Sequence, residues 1–299
     1  MKVLVTGGTG FVGKRLQSIK PNWIYISSKD YDLVATDDCK RMYNDIQPDA
    51  VVHLAGKVGG IKANDMNPAD FYYINTMINT NIVHQAKECG IKRVLSSLST
   101  CTFPDVVPSY PLTEQDILCG PPAITNMSYG YAKRSLYIQS KAYRKQYNLD
   151  YSTFCPSNLY GPEDNFDYDS SHFVSALVRR FFEAKNGDTL EFWGSGNALR
   201  QQLFVDDLAH IIPMLLEEHH SDIPIIVAPN ENLSISNMID ILRKYINKDV
   251  NIKFNSHLDG QYRKDGSNAK LVDMIGDFNF TPFEEGAKTT YNWYSAQNG

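Results

Sequence analysis

The sequence predicts an α/β fold with a doubly wound parallel sheet, and three observations support that prediction. Short β-rich runs alternate with helical stretches through the first half of the chain, a pattern typical of parallel strands joined by crossover helices. The first run, Lys2 to Thr6, passes directly into a glycine-rich turn and then into a helical pattern. After Gly161 the alternation becomes irregular, which indicates a smaller, mixed α/β C-terminal part that binds substrate.

The turn after the first strand has the spacing of a dinucleotide-binding motif. Its glycines are Gly7, Gly10 and Gly13, and Phe11 and Val12 stand between the last two. The first glycine permits a tight turn, the second lets backbone approach a pyrophosphate, and the third lets the helix pack close to the strand. The helix N-terminus supplies free N–H groups for phosphate. Strand, turn and helix in this order predict a Rossmann-type nucleotide-binding sheet.

The remaining elements follow from periodicity and from runs of β-branched residues. Strands are expected near 22–26, 49–55, 92–98 and 151–155, and helices near 75–89, 127–146 and 174–184. Ligands bind at the carboxyl ends of parallel strands, where Gly56, Ser99 and Pro156 fall. We therefore expect an NADP-binding domain over 1–162, with a returning segment near 197–230, and a mainly substrate-binding domain over 163–299.

The residues after the second strand predict which dinucleotide is bound. An enzyme that uses NAD usually carries an acidic residue here, because a carboxylate holds the ribose 2′-hydroxyl and repels a 2′-phosphate. This chain has Ser27, Ser28 and Lys29 instead, two hydroxyls and an ammonium that suit a phosphate. The sequence therefore favours NADP(H), although Lys29 is also compatible with a solvated loop charge.

A hydroxyl, a thiol, a phenol and an ammonium are spaced so that they can line one pocket. Ser99 and Cys101 are two residues apart and project to one side of an extended segment. Tyr129 and Lys133 are four apart and share a helix face. The set suits hydride chemistry at a carbonyl with proton transfer beside it. The alternative is an aromatic ring that packs on a lysine stem, since two other tyrosine–lysine pairs have the same spacing.

Composition limits the classes of function. The chain has 299 residues and a net charge of −5, which argues against a nucleic-acid surface. Its five cysteines are odd in number and lack metal-ligand spacing, so we expect no metal site and a reducing, cytoplasmic setting. No apolar run approaches the length of a membrane span, so no membrane association is expected. The chain begins as a strand, so no signal peptide is expected.

Several runs together resemble a known family. They are Thr6-Gly-Gly-Thr-Gly-Phe-Val-Gly13, Leu54-Ala-Gly-Lys-Val-Gly-Gly-Ile61, Ser99-Thr-Cys101, Tyr129-Gly-Tyr-Ala-Lys133 and Pro156-Ser-Asn-Leu-Tyr-Gly-Pro162. The chain resembles the extended short-chain dehydrogenase/reductases that modify nucleotide sugars, from residue 1 to about residue 210. Within that family it is most similar to the enzymes that convert GDP-4-keto-6-deoxy-D-mannose to GDP-L-fucose by NADPH-dependent 3,5-epimerisation and 4-reduction. The resemblance also implies a homodimer.

The resemblance implies a role for each catalytic residue. Tyr129 protonates the C4 oxygen as hydride arrives, Ser99 hydrogen-bonds the same oxygen, and Lys133 holds the nicotinamide ribose and lowers the pKa of Tyr129. Cys101 is the base and His172 the acid of epimerisation at C3 and C5. A C4 ketone acidifies the hydrogens on both flanking carbons, so one thiolate–imidazole pair can serve each in turn. A lone cysteine or histidine can equally be structural.

The resemblance also implies the binding residues. The cofactor-binding residues are Gly7, Gly10, Phe11, Val12, Gly13, Ser28, Lys29, Leu54, Ala55, Gly56, Lys133, Pro156, Asn158, Leu159 and His172. The residues that bind the GDP-sugar are Asn158, Arg180, Trp193, Arg200 and Lys270.

Three departures from the family pattern keep alternatives open. Phe204 stands where the family often has histidine, Pro229 falls in an expected glycine-rich turn, and Ala269 replaces one member of a basic pair. The alternatives are an epimerase-reductase that acts only at C5, as in colitose-type enzymes, an epimerase without reduction, and a non-catalytic NADP-binding sensor. The intact Ser99 and Tyr129 argue against the sensor, because binding alone needs no proton donor.

Overall fold

The computed structural model describes residues 1–246, 248–255 and 261–299. The strands are β1 Val3–Thr6, β2 Ile24–Ile26, β3 Ala50–His53, β4 Arg93–Ser97, β5 Asp150–Pro156, β6 Asn158–Tyr160, β7 Thr189–Trp193, β8 Leu199–Arg200, β9 Gln202–Phe204, β10 Ile225–Val227, β11 Leu233–Ser234, β12 Asn251–Asn255 and β13 Arg263–Lys264. The α-helices are α1 Phe11–Ile19, α2 Thr36–Ile46, α3 Ile61–Met66, α4 Pro68–Glu88, α5 Met127–Tyr147, α6 Phe173–Glu183, α7 Val205–Glu218, α8 Ile235–Arg243, α9 Ala269–Ile275 and α10 Phe283–Asn298. Short 3₁₀ helices cover Thr100–Thr102, Glu114–Leu118 and Ile124–Asn126.

The central sheet has six strands in the order β10-β5-β4-β3-β1-β2. Every neighbouring pair in it is parallel. From the central pair β1 and β3, the chain adds β2 on one side and β4, β5 and β10 on the other. This change of direction is typical of a doubly wound sheet whose crossover helices cover both faces. The predicted α/β fold with a doubly wound parallel sheet is therefore confirmed. The late strand β10 joins the edge beside β5, so the chain returns to this sheet after the residues that follow Gly161.

The sheet is apolar on both faces because helices cover both. Along β3 and β4, Val51 and Val94 point to one face, where they pack with side chains from α2, α4 and α5. The alternate residues Val52 and Leu95 point to the other face, against α1 and α7. Continuous apolar strands of this kind are expected when a parallel sheet is buried on both sides.

The C-terminal part is mixed α/β, as the sequence predicted. It contains a three-stranded sheet in the order β11-β8-β13 and two strand pairs, β12 with β7 and β6 with β9. Its own apolar core joins α6, α8 and α10, and Phe181, Met238 and Phe283 are fully buried there. These elements follow the central sheet at its carboxyl edge, because β6 continues directly from β5.

Helix α4 begins earlier than the sequence analysis expected. The periodic pattern placed its start at Asn75, but the structure begins the helix at Pro68. Proline is favourable in the first helical turn, and Asp70 complements the helix dipole there, so these were the local start signals. Helix α5 runs over Met127–Tyr147 and matches its prediction within one residue. Helices α2, α3 and α7 to α10 were not predicted.

Helices α4 and α5 have 21 residues each and pack side by side on one face of the sheet. Their outward surfaces carry large exposed side chains, namely Tyr72, Tyr73, Tyr131, Ile138 and Tyr147.

Among residues 1–246, 248–255 and 261–299, no helix combines the length and apolar character that crossing a bilayer requires.

A buried chain of polar groups ties the sheet to α5. The Thr6 hydroxyl lies 2.8 Å from His53 Nδ1, and His53 Nε2 lies 3.1 Å from Asn79 Oδ1. Because that oxygen only accepts, Nε2 carries the proton and Nδ1 accepts from Thr6. The Asn79 amide then donates to the carbonyl of Ala132 in α5 at 3.2 Å. Burial, with the nearby Lys133 charge, lowers the pKa of His53 to about 3, so its ring is neutral.

This buried neutral ring predicts a pH dependence of stability. The unfolded state binds a proton at His53 below about pH 6.5, whereas the folded state does so only near pH 3. The free energy of unfolding should therefore fall as pH drops through this window, by about 2 kcal/mol at pH 5 relative to pH 7. Urea unfolding of His53→Gln should lose less stability over that range. The exposed-site variant His210→Gln should behave as wild type, and an equal loss in all three proteins would contradict the prediction.

Candidate active site

The glycine turn after β1 is too crowded for side chains. Gly7 has φ of 72°, and a Cβ there would lie 2.9 Å from the amide nitrogen of Ala55. A Cβ on Gly13 would lie 2.4 Å from the Gly7 carbonyl oxygen, so only glycine lets α1 start this close to β1. Gly10 occupies the cap position of α1, and it has no side chain that could accept from the first N–H groups of the helix. These groups and the helix dipole can receive a pyrophosphate.

The segment after β2 differs from the prediction in one respect. Ser28 and Lys29 are exposed, as an adenosine phosphate site requires. However, the chain does carry a carboxylate here, Asp30, which the sequence analysis overlooked. Its carboxylate accepts hydrogen bonds from the amide and hydroxyl of Ser27 at 2.8 and 2.7 Å, and these bonds lower the pKa of Asp30. The carboxylate thus closes a local turn, so its presence does not by itself indicate NAD.

The loop after β3 lies between the glycine turn and α5. The Ala55 amide donates to the Thr6 hydroxyl at 3.3 Å, which holds Leu54–Gly56 beside the end of β1. A Cβ on Gly56 would lie 3.8 Å from Lys133 Nζ. The predicted phosphate turn and the predicted ribose-binding lysine therefore meet at one edge of the sheet, and an extended dinucleotide fits this arrangement.

Ser99, Tyr129 and Lys133 form one cluster at the carboxyl end of β4, in which Tyr129 and Lys133 are buried and Ser99 is half-buried. Lys133 Nζ donates to the Ser97 carbonyl oxygen at 2.8 Å and lies 5.9 Å from the centre of the Tyr129 ring. The Ser99 side chain lies beside the Tyr129 phenol, and the Tyr129 ring meets Phe71 edge-on. The structure thus brings together the residues that the sequence analysis assigned to ketone reduction.

The electrostatics of this cluster correct one expectation. Lys133 was expected to lower the pKa of Tyr129, but burial raises that pKa above its ordinary value. The neighbouring Ser99 side chain acts in the opposite direction and lowers the pKa of Tyr129. Burial also lowers the pKa of Lys133 to about 8, because the ammonium has little solvent around it. Tyr129 therefore keeps its proton at neutral pH, as a proton donor must.

Cys101 lies beside this cluster, in the 3₁₀ turn that follows Ser99. Its amide donates to the Ser99 hydroxyl at 3.2 Å, and its thiol is close enough to Tyr129 to influence the phenol. The side-chain amide of Asn126 donates to Cys101 Sγ at 3.1 Å. Sequence reasoning missed Asn126. The only signal was an amide residue three positions before Tyr129, which is too common a pattern to single out.

His172 is placed differently from the other predicted catalytic residues. It is exposed and stands at the N-terminal cap of α6. In the described part of the chain its side chain makes no hydrogen bond to Cys101. The carbonyl of the preceding Ser171 faces Gly60. Burial raises the pKa of the nearby Asp164 carboxyl, and its neighbours Ser175 and His172 act in the opposite direction. Helix α3, which begins after Gly60, packs on the 3₁₀ turn that ends at Asn126.

Four of the predicted GDP-sugar residues are cationic or aromatic groups in the C-terminal part, and three of them are Arg180, Trp193 and Arg200. Arg180 donates to the Glu191 carbonyl oxygen at 2.5 Å and stacks over Phe192 at 4.2 Å. Trp193 follows at the end of β7 and is 80% exposed. Arg200 is half-buried and donates to the adjacent Leu199 carbonyl at 2.7 Å. Burial lowers the pKa of Arg200, and no carboxylate of the described residues pairs with it, so it can receive an anion.

The other predicted binding residues lie at strand ends or are already paired. Pro156 ends β5, while Asn158 and Leu159 form half-buried positions of β6. Lys270 forms a 3.2 Å ion pair with the buried Glu114, whose other oxygen accepts from the Ile226 amide. Lys270 therefore has a structural partner, and its contact with substrate stays a prediction.

The three departures have local structural roles. Phe204 packs against Tyr160 with 5.6 Å between ring centres and fills the space above Gly286. The Pro229 carbonyl accepts from the Gln201 side chain at 2.9 Å, which holds the turn after β10. Ala269 is the first residue of α9.

In the described ranges, no group of three His, Cys, Asp or Glu side chains could hold a metal ion.

Comparison with known proteins agrees with this geometry. A model of the NAD dependent epimerase/dehydratase family matches residues 3–228. A probable GDP-L-fucose synthase of Drosophila melanogaster is 35% identical over 98% of this chain and 97% of its own length. The GDP-L-fucose synthase of Dictyostelium discoideum is 34% identical over 98% of this chain and 94% of its own. A GDP-L-fucose synthetase from Naegleria fowleri bound to NADP has TM-score 0.90 and 34% identity, with 98% and 92% coverage.

The fold, the glycine turn and the Ser–Tyr–Lys cluster define a nucleotide-dependent oxidoreductase of the short-chain type. This chain belongs to the NAD dependent epimerase/dehydratase family. The predicted resemblance to enzymes that modify nucleotide sugars is confirmed, because the matching relatives cover nearly the whole chain.

Replacing the proton donor should separate chemistry from cofactor binding. Tyr129→Phe removes the phenolic proton and keeps the ring, so ketone reduction should fall by about 10²–10⁴-fold while NADPH affinity is retained. Steady-state turnover and fluorescence titration with NADPH measure the two quantities. Tyr137→Phe is the matched control, since Tyr137 stands in the same helix four residues before a lysine. A Tyr129→Phe enzyme within a few-fold of wild type would assign the donor elsewhere.

The exposed Ser28 and Lys29 predict a preference for NADPH over NADH. A serine hydroxyl and an ammonium can bind a 2′-phosphate, and the nearby Asp30 carboxylate is held by Ser27. The kcat/KM for NADPH should exceed that for NADH, and Lys29→Ala should narrow the difference. Equal values for the two cofactors in wild type would show that the carboxylate, not the cation, determines specificity.

Proposed function

We propose that this enzyme converts GDP-4-keto-6-deoxy-D-mannose to GDP-L-fucose by NADPH-dependent epimerisation at C3 and C5 and reduction at C4. The position of Cys101 carries the proposal, since its thiol lies next to the Ser99–Tyr129 cluster. Reduction of a ketone needs a proton donor and a hydride but no thiol. A thiol beside the ketone site is explained by proton abstraction from the flanking carbons. The relatives named as GDP-L-fucose synthases support the same reaction.

The reductase half uses the buried cluster at the end of β4. When NADPH is bound at the glycine turn, the chemistry that it would supply is a hydride for C4 of the sugar. Tyr129 gives its phenolic proton to the C4 oxygen, and Ser99 hydrogen-bonds the same oxygen. Lys133 holds the nicotinamide ribose, while the glycine turn and the N-terminus of α1 hold the pyrophosphate. Because its pKa is raised by burial, Tyr129 is protonated before the hydride arrives.

The epimerase half uses the C4 ketone before it is reduced. The Cys101 thiolate takes the proton from C3 or C5, and the electron pair of the broken C–H bond moves to the C4 oxygen as an enolate. Ser99 and Tyr129 stabilise that oxygen by hydrogen bonds. His172 then returns a proton to the opposite face of the same carbon, which inverts it. Reduction at C4 removes the ketone and ends the exchange.

The nucleotide is held by the C-terminal part. Arg200 is a half-buried guanidinium without a carboxylate partner among the described residues, which suits a diphosphate. Arg180 and the exposed Trp193 offer a cation and an aromatic face for the GDP-sugar. Asn158 and Lys270 complete the proposed substrate contacts. We divide the chain accordingly into a cofactor domain over 1–162, rejoined near 197–230, and a substrate domain over 163–299.

Isotope exchange tests the two halves separately. With the 4-keto sugar nucleotide in D₂O and NADP⁺, wild type should incorporate deuterium at C3 and C5. Cys101→Ser replaces the thiol by an alcohol of far weaker acidity, so incorporation should fall by about 10²-fold or more. The variant should still reduce the unepimerised ketone when NADPH is supplied. Proton NMR of the recovered sugar reports each position.

Cys119→Ser is the matched control, because Cys119 is exposed and its thiol donates to the Gln115 carbonyl. It should exchange like wild type. Exchange at the wild-type rate in Cys101→Ser would place the base elsewhere. Exchange at C5 alone in wild type would favour the C5-only epimerase-reductase, and no exchange at all would remove the epimerase assignment.

The outward surfaces of α4 and α5 support a homodimer. On α5, the exposed Tyr131 and Ile138 lie two helical turns apart, and two such faces can pair across a two-fold axis. The five free cysteines support a reducing compartment, and we place the enzyme in the cytoplasm.

Light scattering at micromolar concentration should therefore give twice the chain mass of 33.8 kDa. Ile138→Lys should shift the protein towards the monomer, because burying an unpaired ammonium in the interface is costly. Lys141→Ala, one turn further along α5, is the control and should stay dimeric. A wild-type mass equal to that of one chain would contradict the homodimer.

A further inference from the structure

Helix α5 carries a second row of residues beside the reductase pair. Asn126, Gly130 and Arg134 are spaced four residues apart, so they share one face at the start of the helix. Tyr129 and Lys133 occupy the adjacent face. Each member of the second row contacts the segment that bears Cys101, and each does so at a different atom.

The contacts of this row fix the position of the thiol. Asn126 Nδ2 donates to Cys101 Sγ at 3.1 Å. A Cβ on Gly130 would lie 2.4 Å from the Cys101 carbonyl oxygen, so glycine lets the helix approach this closely. The buried Arg134 donates to the Thr102 carbonyl at 2.6 Å. Side chain and backbone of the Cys101 segment are thus both held by α5.

The side chain of Asn126 has an unusual hydrogen-bond partner for a residue at the start of a helix. It stands at the N-terminal cap of α5, where an asparagine oxygen normally accepts a backbone N–H of the first turn. Here the side chain makes no capping bond, and its Oδ1 is buried without a hydrogen-bond partner. The side chain therefore points towards the sulfur, and the start of α5 is left without a capping hydrogen bond from Asn126. An N–H donor is bound more strongly by a thiolate than by a thiol.

We propose that Asn126 is a positioning residue for the epimerisation base: its amide N–H holds the Cys101 sulfur and favours the thiolate. The part played by that thiolate rests on the proposed function, but the N–H···S contact can be tested without any sugar substrate. Because the reductase residues lie on the adjacent face of α5, loss of the amide should affect epimerisation and leave hydride transfer intact.

The deciding variant is Asn126→Ser, which is neutral and too short to reach the sulfur. Asn67→Ser is the matched control, since Asn67 caps the equally long α4, is exposed and contacts no thiol. The first measurement is the rate at which iodoacetamide alkylates Cys101 near neutral pH, resolved from the other cysteines by peptide mass spectrometry. The second is deuterium exchange at C3 and C5, and the third is NADPH oxidation with the 4-keto sugar.

Asn126→Ser should lower the alkylation rate of Cys101 by about tenfold, because a hydrogen bond to a charged group is lost. Deuterium exchange should fall by a similar factor, whereas NADPH oxidation should be no slower than in Cys101→Ser. Asn126→Asp, which places a negative charge beside the sulfur, should lower alkylation further. Asn67→Ser should match wild type in all three measurements.

Unchanged or faster alkylation in Asn126→Ser would overturn the proposal, since the amide would then not stabilise the thiolate. NADPH oxidation that falls below that of Cys101→Ser would also overturn it, because the residue would be supporting the helix as a whole. If wild type exchanges no deuterium, the proposed function fails. The alkylation rates still decide the role of Asn126 in that case.

Discussion

A buried ammonium group fixes helix α5 against the carboxyl end of β4. Lys133 donates to the Ser97 carbonyl at 2.8 Å, and burial lowers its pKa to about 8. A charged group is stable this far from solvent only where hydrogen-bond partners surround it. The ribose hydroxyls of a bound dinucleotide would supply further partners. The anchor places Tyr129, one turn earlier, beside Ser99. The polar chain through His53 and the Ala132 carbonyl supports the same helix from the sheet side.

One helix thereby serves two kinds of proton transfer. In the proposed mechanism the face with Tyr129 meets the C4 oxygen, while in the structure the face with Asn126 contacts the sulfur of Cys101. Both act on the same ketone, so the order of events follows from chemistry: exchange at C3 and C5 is possible only while the ketone persists. A site that reduced first would lose its ability to epimerise. Shielding of Tyr129 from solvent keeps its proton in place until hydride transfer consumes it.

The sequence predicted those features that depend on local pattern. The glycine turn, the α/β alternation and the Ser99, Tyr129 and Lys133 spacing all follow from short-range geometry. The features that the sequence did not predict depend on contacts between segments that are distant in the chain. The ion pair of Lys270 with Glu114 joins residues far apart in the chain, and the Asn126 contact requires knowing how α5 approaches the 3₁₀ turn. The rise in the pKa of Tyr129 likewise reflects burial, which spacing alone does not reveal.

Identification of the product tests the central claim most directly. The enzyme is incubated with GDP-4-keto-6-deoxy-D-mannose and NADPH, and the sugar nucleotide is purified and examined by proton NMR. The coupling constants around the ring distinguish the possible stereoisomers. We expect GDP-L-fucose, in which C3 and C5 have been inverted and C4 reduced. A product reduced at C4 with C3 and C5 unchanged would contradict it, because Cys101 would then have no role as a base.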